Sequence, residues 1–164
     1  MACPPNQPLV IALRPESAED EPLLFELYAA SREAELAATG WDPGTRSAFF
    51  QMQFRAQRQG YRSMFPQAAF SIIQIDGRPV GRIVVHRAEG QIRVVDIALQ
   101  VTYQGQGLGT QLLRDLCAEA SAAGKAVHLH VLKNSRARGL YERLGFNRIG
   151  ENGIYEEMEW RAKT

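Results

Sequence analysis

The apolar positions change rhythm several times along the chain, and each rhythm predicts a different element. Leu9-Val10-Ile11-Ala12-Leu13 is a short unbroken apolar run closed by Arg14-Pro15, which predicts a first strand leaving through an extended pre-proline residue. Ser17, with Asp20 three residues on and Glu19 and Glu21 in the first turn, caps a helix in which Leu24, Leu27 and Tyr28 recur at helical spacing and which Gly40 ends. Over residues 46–59, Phe50 and Phe54 lie four apart with Phe49, Met52 and Ala56 beside them, which predicts a second helix with an aromatic face.

The period then shortens to that of strands. Residues 70–75, 80–86 and 91–100 are rich in Val and Ile and are separated by the turn pairs Asp76-Gly77 and Glu89-Gly90, so an antiparallel three-strand meander is expected. Leu108, Leu112, Leu116 and Ala120 then make one apolar stripe, with Arg114, Asp115 and Glu119 outside it, and predict a third helix. Residues 126–132 predict a further strand, 134–144 a short helix stopped by Gly145, and 146–160 a hairpin turning at Asn152-Gly153. The expected fold is α+β, an antiparallel meander joined to a strand–helix–strand crossover.

Composition narrows the setting. With 164 residues, 45% of them hydrophobic, residues 1–164 are expected to form one domain with residues 1–8 as a flexible tail. The balance of 19 basic against 18 acidic residues indicates no nucleic-acid footprint and no polybasic membrane anchor, so any site for a polyanion must be local. Cys3 and Cys117 make neither a disulfide framework nor a metal-ligand spacing. The N-terminus lacks the basic start and apolar run of a signal peptide, and no apolar stretch of about 18 residues occurs, so a cytoplasmic protein is expected.

The local site is the loop Gln104-Gly105-Gln106-Gly107-Leu108-Gly109-Thr110, which opens the third helix with glycines at alternate positions. Such a loop aims backbone N–H groups from the positive end of a helix dipole, and glycine lets an anion approach them closely. The alternative is an ordinary tight strand-to-helix turn. A Walker loop would need Lys and then Ser or Thr after its last glycine, whereas Gly109 is followed by Thr110-Gln111. A dinucleotide fold would need an acidic residue at the end of the next strand, where Lys133-Asn134 stands.

Gln104 through Gly109 resembles the Gln/Arg-x-x-Gly-x-Gly/Ala hallmark of the GNAT superfamily of acyl-CoA-dependent N-acyltransferases. Upstream, Val95-Asp96-Ile97-Ala98-Leu99 is similar to the family's fourth strand; downstream, Asn134 and Leu140-Tyr141-Glu142-Arg143-Leu144-Gly145-Phe146 match its later block in the right order. The resemblance runs from about Leu9 to Trp160. It implies a mixed, mostly antiparallel sheet of about seven strands with about four helices, splayed between strands four and five. It also implies acetyl-CoA as cosubstrate, no metal, and a state of monomer or homodimer. Ile97, Ala98, Leu99 and Val101 would then meet the pantetheine arm, with Gln104, Gly105, Gln106, Gly107, Leu108, Gly109 and Thr110 around the pyrophosphate. Asn134 would bond the pantetheine, one residue earlier than the family's usual spacing.

Two residues carry the implied chemistry. The resemblance places Tyr141 beside the acyl sulfur, where its phenol protonates the leaving thiolate; read on its own, Tyr141 also lies on the apolar stripe with Leu140 and Leu144. Asp96, a carboxylate amid Val94, Val95, Ile97 and Ala98, needs a partner or a raised pKa, and is a candidate base for the acceptor amine or a structural ion-pair member. His128 and His130 share one strand face and read as structural or exposed. For the acceptor, the chain offers an aromatic wall of Trp41, Phe49, Phe50, Phe54, Tyr61 and Phe65, and a last hairpin that adds Tyr155 and an acidic rim of Glu156, Glu157 and Glu159. The expected partner is a small-molecule or protein amine, with no nucleic acid and no membrane. The expected activity is acetyl transfer, the alternative being a non-catalytic CoA-binding regulatory module.

Overall fold

The computed structural model describes residues 10–163, so the tail expected at residues 1–8 and the strand start at Leu9 lie outside the described residues. In chain order the elements are β1 (Ile11–Pro15), α1 (Glu21–Ala37), α2 (Pro43–Met64), β2 (Ala69–Ile75), β3 (Arg78–Arg87), β4 (Gln91–Leu99), α3 (Leu108–Ala123), β5 (Ala126–Leu132), α4 (Ala137–Arg143), β6 (Asn147–Asn152) and β7 (Tyr155–Trp160). The strands form one sheet in the order β1-β2-β3-β4-β5-β7-β6. Every neighbouring pair is antiparallel except β4 and β5, which run parallel because α3 crosses over between them. This is the expected α+β fold.

Alternation along the strands sends side chains to two faces, and a different pair of helices covers each. On one face Ile73, Val80, Ile83, Ile92, Val127, Leu129 and Met158 join the stripe of α3, where Leu108, Leu112, Leu113, Leu116 and Ala120 are all buried. Each such large side chain contributes about 1.5–3 kcal/mol relative to exposure. On the other face Ile72 packs with Leu24 and Tyr28 of α1 and Phe54 of α2. Phe25 and Tyr28 meet the Phe54 ring at centroid distances of 5.6 and 5.8 Å. The aromatic stripe of α2 therefore builds a core, and Phe54, 3% exposed, belongs to no acceptor wall.

Local chemistry sets the element ends. The Asp42 carboxylate accepts the Thr45 N–H at 2.7 Å, and Pro43 occupies the first turn, so α2 starts three residues before the expected 46. Asp76 and Gly77, both at positive φ (51° and 79°), make the tight β2–β3 turn. The β6–β7 turn falls one residue later than expected: Asn152 pairs with Tyr155, and Gly153 takes the positive φ of 63°. The helix expected over 134–144 shortens to α4, because Ser135 bonds back to the Leu132 carbonyl at 2.9 Å and its hydroxyl accepts the Ala137 N–H at 3.1 Å.

Candidate functional site

The two central strands part company halfway along. β4 and β5 are paired only from Gln91–Ala126 to Val94–Leu129, yet β4 continues to Leu99 and β5 to Leu132. Beyond Val94 the other edge of β4 stays bound to β3 through Gly81 opposite Leu99, and the Gln100 N–H donates to the Val80 carbonyl at 2.9 Å. By the alternation of an antiparallel ladder, the backbone groups of Ile97 and Leu99 point into the gap, whereas those of Ala98 point to β3. Within this edge, Gln104 Nε2 donates to the Leu99 carbonyl at 3.0 Å. A wedge-shaped gap with backbone polar groups along one wall suits an extended amide chain.

The gap leads to the glycine loop. Residues 101–103 form one 3-10 turn, and Gly105 and Gly107 then take φ of 74° and 83°, a left-handed conformation that side chains disfavour. Gly107 is the N-cap of α3, and the first bond of the helix runs from Gln111 N–H to the Gly107 carbonyl at 3.0 Å. The N–H groups of Leu108, Gly109 and Thr110 precede that ladder. Leu108 buries its side chain in the core, 3% exposed, so only its backbone faces the loop. No acidic residue lies in the first turn, so the positive end of α3 is left for an anion. A Cβ on Gly105 or Gly107 would meet nothing within 4 Å: the glycines serve backbone conformation and open approach.

Tyr141 lies on α4, 7% exposed, its ring 5.8 Å from that of Phe146. Its phenol is pushed up to about 12 by burial and by the charge of Asp96. Asp96 lies on β4 just past the end of the β4–β5 ladder, its side chain 27% exposed. Its pKa is raised, chiefly by burial, against the pull of the Arg82 guanidinium 3.8 Å away. Asp96 also acts on Tyr61 of α2, whose phenol burial pushes up to about 12. The carboxylate thus lies within electrostatic reach of a phenol from each side of the sheet. Asn134 is exposed in the turn after β5, and Thr110 is half-buried in the first turn of α3.

The remaining sequence candidates fall elsewhere. Glu156 is 4% exposed on β7, with Arg138 Nε 3.1 Å from its Oε2 and Arg148 Nη1 3.8 Å from its Oε1, so it faces inward to cations and forms no rim. Glu157 pairs with Arg93 at 3.0 Å, and Glu159 with His128 at 2.6 Å and Arg161 at 2.8 Å. The expected acidic rim is therefore internally neutralised, and both histidines face carboxylates. Sequence reasoning missed Glu16 and Arg82. An arginine within the apolar run 80–85 was the available signal, since a charge on a buried strand requires partners. A cavity of about 280 Å³ lined by Glu26, Leu27, Ala30, Gln100, Val101 and Thr102 opens between α1 and the end of β4.

The Acetyltransferase (GNAT) family matches residues 24–146. A proposed [ribosomal protein bS18]-alanine N-acetyltransferase of Bacillus subtilis (strain 168) is 31% identical over 83 residues, 49% of this chain. The chain spans about half the length of that relative, 54%. Among solved structures, the PaiA N-acetyltransferase of Thermoplasma acidophilum in complex with coenzyme A aligns with 93% of this chain and 99% of its own at 19% identity and a TM-score of 0.68. A GNAT family acetyltransferase from Elizabethkingia anophelis with acetyl-CoA bound aligns with 93% and 98% at 18% identity and a TM-score of 0.60. At these identities the two structures share the fold.

Proposed function

The chain belongs to the acetyltransferase (GNAT) family, and on that premise we propose that it transfers an acetyl group from acetyl-CoA to a primary amine by direct attack in a ternary complex. The observation that carries this reading is the β4–β5 gap, which opens past Val94 where Asp96 stands and follows β4 through Leu99 toward the glycine-cradled N-terminus of α3. The N–H groups at the start of α3 hold the pyrophosphate, and the Ile97 and Leu99 backbone aligns the pantetheine arm. Asn134 adds a side-chain bond to that arm.

In this reading Asp96 accepts a proton from the acceptor ammonium, and the freed nitrogen lone pair attacks the thioester carbonyl. As the C–S bond breaks, its electron pair passes to sulfur, the Tyr141 phenol supplies a proton there, and the second proton shed by the acylated nitrogen returns the tyrosinate to its phenol. A phenol pushed up to about 12 is fully protonated at neutral pH, the state an acid needs. The side chain of Asp96, 27% exposed, is left reachable by an acceptor amine. The acceptor is an amine on a small molecule or a protein, and the name of the Bacillus relative makes an N-terminal alanine peptide a fitting first candidate. Among the described residues no helix is long and apolar enough to cross a membrane; we place the protein in the cytoplasm.

Titration of acetyl-CoA, CoA and ATP into the pure protein, followed by CoA release over an amine panel that includes alanine-terminated peptides, tests the proposal. Acetyl-CoA binding with turnover of at least one amine is expected. ATP binding without CoA binding would overturn it, and CoA binding without turnover across the panel would replace it with a CoA-binding regulatory module.

A further inference from the structure

Arg82 occupies the most apolar stretch of the sheet. It is 4% exposed on β3 between Val80 and Ile83 to Val85, all of them buried, and a guanidinium in such a place needs anionic partners. Two carboxylates flank it: Glu16 Oε2 lies 3.5 Å from its Nε and Asp96 Oδ2 lies 3.8 Å from its Nη1. Glu16, whose side chain is 1% exposed, is also held by α2, with Arg58 Nη2 at 3.2 Å and Arg62 Nη2 at 3.1 Å from its Oε1. Glu16 thus meets three guanidiniums, whereas Arg82 is the cation within 4 Å of Asp96 among the described residues.

A pair built for rigidity would be closed by hydrogen bonds. Here Glu16 Oε2 and Arg82 Nε are buried without one, and Arg82 meets Asp96 at charge-contact distance. Arg82 consequently acts on Asp96 through its field and leaves the carboxylate free to take a proton. The groups acting on Asp96 are Arg82 on β3, the backbone N–H of Ile97, which also favours the ionised form, Glu16 before α1, Tyr61 on α2 and Tyr141 on α4, with Arg32 of α1 and Tyr155 of β7 acting on Tyr61.

We propose that Arg82 is a positioning residue of the transfer reaction, holding the Asp96 carboxylate ionised at the gap, and that Glu16 moderates its charge and links it to α2. This rests on the reading of Asp96 as the base. Removing the Arg82 charge makes Asp96 harder to ionise, and removing the Glu16 charge makes it easier. A merely structural role for both residues lowers stability in both variants and moves the Asp96 titration in neither.

The test is the titration of Asp96 by ¹³C-carboxyl NMR in the full chain, assigned with Asp96→Asn, together with the acid limb of the kcat/KM profile. Arg82→Met is expected to move the titration up by about one pH unit, Arg82→Lys to restore most of it, and Glu16→Gln to move it down. Shifts of Arg82→Met and Glu16→Gln in the same direction, or no shift in either, would overturn the proposal. Should Arg82→Met not fold, Glu16→Gln decides alone, a downward shift supporting the proposal and its absence overturning it. An acid limb that survives in Asp96→Asn removes Asp96 as the base, an outcome separate from the carboxyl titration itself.

Discussion

Gly81 and Leu99 stand directly opposite each other across the β3–β4 ladder, and the strands approach so closely there that no side chain fits at position 81. A methyl group on Gly81 would strike the Ala98 carbonyl oxygen and come 2.8 Å from Leu99 Cδ2. Gly81→Ala must push β4 aside at the segment that lines the gap. The expected result is a loss of about 1–3 kcal/mol in urea unfolding, with acetyl-CoA affinity weakened more than Asp96 titration is altered. Wild-type stability in this variant would show that the strands yield at no cost.

Tyr141→Phe keeps the ring beside Phe146 and removes only the phenol. Its kcat is expected to fall about 100-fold while the acetyl-CoA KM changes little, since the proton is needed only as the thiolate leaves. Steady-state kinetics on the best amine of the panel checks this. An unchanged kcat would take Tyr141 out of the chemistry.

Arg14 donates two hydrogen bonds to the Asp20 carboxylate, at 2.8 and 2.7 Å, and the Ser17 N–H adds a third at 2.8 Å. Chiefly through Arg14, the Asp20 carboxyl is held down to about 2 from an ordinary 3.8. Because the folded value is the lower, the stabilisation is complete above pH 3.8 and is lost as pH falls through about 2. With Arg14 a third exposed, Asp20→Asn should cost about 1–2 kcal/mol at pH 7. Unfolding curves of wild type and variant should converge near pH 2.

Phe54→Ala removes the ring around which Phe25, Tyr28 and Ile72 pack. A loss of about 3–5 kcal/mol is expected in denaturant unfolding. If amide exchange in α1 and α2 rises far more than in α3, that second core is an independent unit of stability.

The antiparallel meander, the crossover by α3 and the glycine loop were legible in the sequence because each is written in local signals. Apolar alternation marked β2 to β4, Asp76-Gly77 marked a turn, and Gly105 and Gly107 marked backbone that only glycine adopts readily. The ends of α2 and α4 were less legible, because Pro43-Gly44 reads as a loop until Asp42 is seen to cap it, and Ser135 ends the β5 turn where a helix looked continuous. The Glu16–Arg82–Asp96 cluster was least legible. Its members are 66 and 14 residues apart in sequence, and the β1–β2, β2–β3 and β3–β4 registers bring them together.

Four residue pairs join β4 to β5, against seven for β3 with β4 and six for β5 with β7. The sheet is therefore two antiparallel blades on a short hinge, with α3 packed across both like a splint. Under load, or in thermal breathing, such a hinge is where displacement concentrates, and small rotations of one blade widen or narrow the gap without breaking either ladder. The seam with the fewest paired residues in the sheet therefore ends beside Asp96, and a rotation of either blade about it would change the width of that opening.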